Sequence, residues 1–140
     1  MAGNVHELRP KAGSETEKIT INLGLIDLGQ IDLLVQEGFY SNRTDFIRTA
    51  IRSQIAAHAN VVRQTVARRT LVLGLHDFSK HDLEALRKAR KKLRIQVLGL
   101  VRIADDVSPA LARDTIESIS VLGALHASAA VKAALADRTH

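Results

Sequence analysis

The sequence predicts an α+β fold in two parts. A strand and two helices (β-α-α) occupy residues 17–58, and a βαβαβα region with a small parallel sheet occupies 70–140. Three observations predict it. Lys18-Ile19-Thr20-Ile21-Asn22-Leu23 alternates strictly between polar and apolar. Two stripes at helical spacing follow, separated by a Gly-containing turn. Finally, the tripeptide Val-Leu-Gly recurs at Val72, Val97 and Val121, each time leading into a capped helix.

The alternation over Lys18–Leu23 is the period of a half-buried strand. A lone strand leaves its backbone N–H and C=O groups unpaired, and no second strand pattern lies nearby. Pairing with the same strand of a second chain is the simplest remedy. Such an antiparallel ribbon buries Ile19, Ile21 and Leu23 and sets Lys18, Thr20 and Asn22 on its outer face. A two-stranded ribbon fits the DNA major groove, where these side chains can read base edges: Lys18 on guanine acceptors, Asn22 on adenine, Thr20 on a base or a thymine methyl. The strand therefore predicts a homodimer and double-stranded DNA as its partners.

After Gly24, the apolar residues Leu28, Ile31, Leu34 and Val35 give a first helical stripe that ends at Glu37-Gly38, with Gly in its favoured place just past a helix end. Phe39-Tyr40-Ser41 makes the turn. Asn42 is an N-cap with Asp45 three residues on, and Phe46, Ile47, Ala50, Ile51 and Ile55 form a second stripe. The start of that helix offers free backbone N–H groups beside Ser41, Asn42, Arg43 and Thr44, a combination suited to a phosphate.

Residues 17–58 resemble the ribbon-helix-helix (CopG/MetJ/Arc-type) DNA-binding proteins. The resemblance is carried by the alternating KITINL strand, by LLVQEG at the end of the first helix and by FYSNRTDFIRTAIR, whose R-T-D-F-I-R core is similar to the family's R-[ST]-[DE]-[FL]-[IV]-R pattern. It implies an intertwined dimer with Lys18, Thr20 and Asn22 facing the bases and the Asn42–Thr44 helix start holding a phosphate. Leu25, Ile26 and Leu33 depart from the family, which usually carries polar residues there. The first helix is thus expected to have apolar surface that the rest of the chain or another dimer covers.

Composition fits a binding protein. Hydrophobic residues make up 46% of 140, enough for a core, but aromatics only 3%, so that core is aliphatic. There is no cysteine, which excludes disulfides and thiolate metal sites. No apolar run approaches the roughly 18 residues of a membrane helix. The N-terminus lacks the apolar core of a signal peptide, so no membrane role and a cytoplasmic location, nucleoid-associated when DNA-bound, are expected. Residues 1–16 read as a flexible arm.

Charge is unevenly distributed. Residues 1–60 hold 6 Lys/Arg and 7 Asp/Glu, residues 61–94 hold 10 and 3, and residues 95–140 hold 4 and 5. The positive field thus comes from Arg63, Arg68, Arg69 and the run Arg87-Lys88-Ala89-Arg90-Lys91-Lys92-Leu93-Arg94. Such a run reads first as a solvated helix face. The alternative is an auxiliary DNA-binding surface through Arg87, Lys88, Arg90, Lys91 and Lys92 that neutralises phosphates.

The Val-Leu-Gly landmarks lie 25 and 24 residues apart, and each is followed by Ala-Leu, at Ala85, Ala110 and Ala134. Each unit reads as strand, loop and helix, with Ser79, Ser108-Pro109 and Ser128 starting the helices. Stacked strand–helix units predict a three-stranded parallel sheet with helices on one face, or else a compact α+β domain of the ligand-sensing kind. Residues 59–69 are expected to extend the second helix as a connector. An uncovered sheet face predicts an oligomerisation module that joins dimers into a higher homo-oligomer.

Competing functions find less support. His76 and His81 lie near Asp77 and Asp82, and His126 closes the third strand unit, so a His/Asp metal site is chemically conceivable. Ordinary loop histidines explain the pattern as well, and no metal or other cofactor is expected. No Ser-centred elbow, Gly-rich phosphate loop or HExxH pattern suggests an enzyme. The Asp105-Asp106 pair precedes a helix start, where the dipole favours acids. An antitoxin-like protein, its C-terminal half wrapped on a toxin partner, is the main alternative to a repressor. Antitoxin tails are usually polar and fold on binding. A third reading has the repeat polymerise while the ribbon tethers DNA.

Overall fold

The computed structural model describes residues 15–140; most of the arm expected over 1–16 lies outside the described residues. The chain divides into two compact units: Lys18–Thr65, and Val66–His140 together with the residues up to Glu17.

In the first unit, Lys18–Gly24 lies outside any helix or sheet of the single chain. Helices α1 (Leu25–Gln36) and α2 (Arg43–Ala57) follow. α1 ends where the Gly38 N–H donates to the Val35 carbonyl (3.1 Å) and the Phe39 N–H to that of Leu34 (3.0 Å). These paired bonds require a left-handed residue, which Gly38 supplies at φ +84°. α2 does not run on unbroken into the connector. His58 leaves the helical conformation at φ −105°, ψ 15°, and α3 (Ala59–Arg68) starts anew behind it. The His58 ring nitrogen Nδ1 bonds the Gln54 carbonyl at 3.0 Å, and the His58 carbonyl accepts the Val62 N–H at 3.0 Å.

The second unit alternates strand and helix: β1 (Val72–Phe78), α4 (Lys80–Lys88), β2 (Leu93–Ile103), α5 (Pro109–Thr115), β3 (Ile116–His126) and α6 (Ala129–Ala134), then a 3-10 turn at Ala136–Arg138. The strands form one sheet in the order β1-β2-β3, both pairs parallel. The tripeptide repeat sets the register. Val72 pairs with Val97 and Val97 with Val121; Leu73, Leu98 and Leu122 form the next row, and Gly74, Gly99 and Gly123 the third.

That glycine row has a steric cause. All three adopt φ between +124° and +141°. A Cβ at Gly99 would overlap the Gly74 carbonyl oxygen, and one at Gly123 would overlap that of Gly99. The strands approach so closely there that only glycine fits. Gly74, on the edge strand, would meet nothing within 4 Å.

The helices start at the serines. The hydroxyls of Ser79, Ser108 and Ser128 accept the N–H groups of Asp82, Leu111 and Val131 respectively. Asp82 returns the favour by accepting the Ser79 N–H at 3.1 Å, completing a capping box. One face of the sheet is buried under all three helices. Ile95, Val97, Val101 and Ile103 of β2 and Ile116 and Ile119 of β3 pack with Leu83 of α4, Leu111 and Ala112 of α5, and Val131 and Leu135. On the other face, Leu73 and Leu122 remain 62% and 44% exposed. β1 is an edge strand with no further strand beside it among the described residues, whereas the outer edge of β3 is partly closed by the C-terminus, where Thr139 bridges Ile119 and the His140 N–H donates to the Ile119 carbonyl at 2.8 Å.

Candidate nucleic-acid interface

Lys18, Thr20 and Asn22 are exposed, as are the intervening apolar side chains. Ile19 is 73% exposed, Ile21 57% and Leu23 39%. The unit they belong to has almost no interior of its own. Ile31 is its buried hydrophobic side chain, while Leu25, Ile26, Leu33, Phe39, Ile51 and Ile55 are exposed. Leu28, Leu34 and Val35 of the first stripe and Phe46 and Ile47 of the second are half-buried, so the exposed apolar surface lies at Ile51 and Ile55 and at residues off the stripes.

The start of α2 is built tightly. The Asn42 side chain accepts the Asp45 N–H at 2.8 Å, and the Asp45 carboxylate accepts the Ser41 N–H at 2.9 Å. The acid thus reaches one residue further back than in a capping box. Tyr40 meets Phe46 edge to face, with ring centroids 5.0 Å apart, which fixes the turn against the helix. With Asn42 and Asp45 committed to the cap, the N–H groups of Arg43 and Thr44 have no acceptor among the described residues. They are unbonded donors of the first helical turn.

Arg43 has a partner the sequence reading missed. Its Nε and Nη2 donate to the two carboxylate oxygens of Asp32 on α1, at 2.7 and 2.8 Å. Hydrogen bonding to Arg43 holds the Asp32 carboxyl below the ordinary carboxylate range, and the same bond raises Arg43. Both side chains are largely exposed, so the pair chiefly orients the α1–α2 hairpin. Arg43 is therefore placed beside the helix start but shared with Asp32. No spacing rule links residues 11 apart across a turn.

The auxiliary basic residues lie elsewhere in the fold. Arg87 and Lys88 end α4, and Arg90, Lys91 and Lys92 form the turn into β2, all exposed. Arg87 lies 3.9 Å from Asp114, and Arg94 pairs with Glu117 at 2.9 Å. Glu117 is the extra residue of a bulge that shifts the register between Leu93 and Arg94. Its carboxyl is held below the ordinary range, mainly by the Arg94 hydrogen bond.

The histidines and acids considered for a metal are dispersed. Asp82 serves the Ser79 cap, Asp77 lies 3.4 Å from Arg102, and His126 lies 3.4 Å from Glu17. Arg102 also holds Glu15 at 3.0 Å, so the residues just before the Lys18–Leu23 segment are tied to the C-terminal ends of β2 and β3. Among the described residues no group of three or more His, Asp or Glu side chains is placed to hold a metal ion. No helix among them is long and apolar enough to cross a membrane.

Comparison with known proteins agrees with these features. The ribbon-helix-helix transcriptional regulator family matches residues 14–132, a span that takes in the alternating segment, both helices of the hairpin and all three strands of the sheet. No curated protein and no solved structure matches the chain. A match over most of its length, on a chain carrying the strand-and-two-helix pattern, shows that this protein belongs to the ribbon-helix-helix family of transcriptional regulators, a family of DNA-binding proteins.

Proposed function

We propose that the protein is a sequence-specific repressor whose two chains pair Lys18–Leu23 into an antiparallel ribbon and insert it into the major groove. Lys18, Thr20 and Asn22 read base edges from the ribbon's outer face, while Ser41, Asn42, Arg43 and Thr44 hold a flanking phosphate. The observation that carries this reading is the missing interior of Lys18–Thr65. Exposed Ile19, Ile21 and Leu23 alternate with the three polar readers, and the exposed stripe of α2 lies in the same unit. A second copy supplies both the backbone partner the strand needs and the apolar cover the helices need. The protein acts on DNA in the cytoplasm without catalysing a reaction.

The C-terminal unit joins such dimers into a higher oligomer. Its support is the unprotected edge of β1, which carries no Lys or Pro, next to the exposed Val72 and Leu73. Because the C-terminus closes part of the β3 edge, the β1 edge is the one left for pairing between two copies of this unit. A toxin-wrapping tail is disfavoured by the continuous core from Leu83 to Leu135 that this unit buries by itself.

The test is selection of bound duplexes from a random pool, with mass measurement of the complex and repression of a reporter placed behind the selected site. The account expects enriched, symmetric half-sites bound by an even number of chains, and a silenced reporter. An unenriched pool, or a monomer bound to DNA, would defeat it.

A further inference from the structure

We propose that the corner where α4 turns into β2 is a second contact to the DNA backbone, a phosphate-binding surface formed by Lys88, Arg90 and Lys91. It rests on the protein's being a DNA binder, but it is independent of how the bases are read. This end of the sheet, where the strands begin, is rich in cations, and its acids are already engaged. Asp114 lies against Arg87 (3.9 Å), Glu117 is bonded to Arg94 (2.9 Å), and Asp137 to Arg113 (3.0 Å). Arg138 donates to the carbonyl oxygens of Arg113 and Ile116. Lys92 is near enough to Glu117 to help lower its carboxyl. Lys88, Arg90 and Lys91 are left exposed, with no ion-pair partner among the described residues.

The helix dipole accounts for cations in the last turn of α4, hence for Arg87 and Lys88. It does not account for those beyond the turn. Arg90 occupies the left-handed position of the helix stop, at φ +54°, where its N–H donates to Arg87 and the Lys91 N–H to Leu86. That position favours glycine, as at Gly38, and an L residue there costs about 1–2 kcal/mol. An arginine stands where the backbone conformation is unfavourable for it, and its side chain has no ion-pair partner among the described residues. Adjacent unpaired cations on an exposed corner of a DNA-binding protein match closely spaced phosphates.

The experiment measures affinity against salt for the full-length protein on two duplexes, one selected by the protein and one random. The wild type is compared with the combined variant Lys88→Gln, Arg90→Gln and Lys91→Gln. Each neutralised phosphate contributes about 0.9 to the slope of log affinity on log salt, so the variant's slope is shallower by up to about 2.7 for each bound chain. Between about 50 and 200 mM salt, wild-type affinity then falls up to about 40-fold more than the variant's for each bound chain, on both duplexes. Lys91→Gln alone should remove about 0.9 per bound chain, and Lys88→Arg with Lys91→Arg should leave the slope unchanged. Far-UV circular dichroism checks that each variant is folded. An unchanged slope in the folded combined variant overturns the proposal. Asn22→Ala, run in parallel, separates the two readings. Lost site preference in that variant with an unchanged slope in the combined one sinks the surface alone, whereas a shallower slope without any wild-type preference sinks the base reading alone.

Discussion

A methyl group added at Gly99 should break the sheet that the same methyl group at Gly74 only strains. Both glycines have a left-handed φ, +141° and +124°, so alanine at either position carries backbone strain of about 1–3 kcal/mol. At Gly74 nothing lies within 4 Å of the new atom, and the strain is the whole cost. At Gly99 the new Cβ overlaps the Gly74 carbonyl oxygen, a backbone atom held in the β1–β2 ladder. Strand β1 must move aside, which adds at least the roughly 1–3 kcal/mol typical of overpacking. Gly99→Ala is thus expected to cost about 2–6 kcal/mol against about 1–3 for Gly74→Ala, a large share of the roughly 5–15 kcal/mol that holds a domain together. Urea unfolding followed by circular dichroism, with oligomeric mass measured alongside, reads the difference. Equal midpoints for the two variants at unchanged mass would refute the steric account of the glycine row.

Other outcomes follow from the same geometry. Thr70→Gly should raise stability by about 0.5–1 kcal/mol in a thermal melt, because Thr70 ends α3 at φ +55°, a conformation a β-branched residue adopts at a cost. A lower melting temperature would contradict this. The Asp82 carboxyl is held below its ordinary 3.8, first by the Ser79 backbone N–H. Its folded pKa is therefore lower than its unfolded one, so its contribution is full above the ordinary value and is lost as pH falls through the lowered one. Asp82→Asn should accordingly differ most from wild type near neutral pH, with the gap closing in strong acid; a gap that widens in acid would reverse the sign. Arg43→Gln should weaken binding to selected and random duplexes by the same factor in an anisotropy titration, and a loss on the selected site alone would assign Arg43 to base reading.

Much of the C-terminal unit could be read from the chain because its signals are local and repeated. Val72, Val97 and Val121 recur at nearly constant spacing, and a parallel sheet turns constant spacing into in-line register. The serines before the three helices are N-caps whose chemistry acts within three residues. The sequence reading missed features that depend on distant partners. β2 and β3 run 11 residues each, beyond the apolar triplets: exposed Arg94 and Gln96 on one strand and half-buried Ser118 and Ser120 on the other flank Ile95 and Ile119, which are buried in the core. The break at His58 interrupts a stretch whose residues all tolerate helix. The ion pairs Arg43–Asp32 and Arg102–Glu15 join residues that no periodicity relates.

At the start of α2, the Asn42 cap was legible. The division of labour at the helix start was not. Capping-box spacing pairs an acid at Asp45 with the Asn42 N–H, yet Asp45 accepts from Ser41, which leaves the N–H groups of Arg43 and Thr44 without an acceptor among the described residues. That choice depends on how the Tyr40–Phe46 contact folds the turn, and a one-dimensional pattern does not contain it.

The most direct test of the account is Asn22→Ala. On a duplex selected by the wild type, the variant should lose about 1–3 kcal/mol of binding for each ribbon strand, one bidentate base contact apiece, while its affinity for random duplex stays within error. Equal losses on the two duplexes, or none on either, would contradict the claim that the exposed face of Lys18–Leu23 reads the DNA.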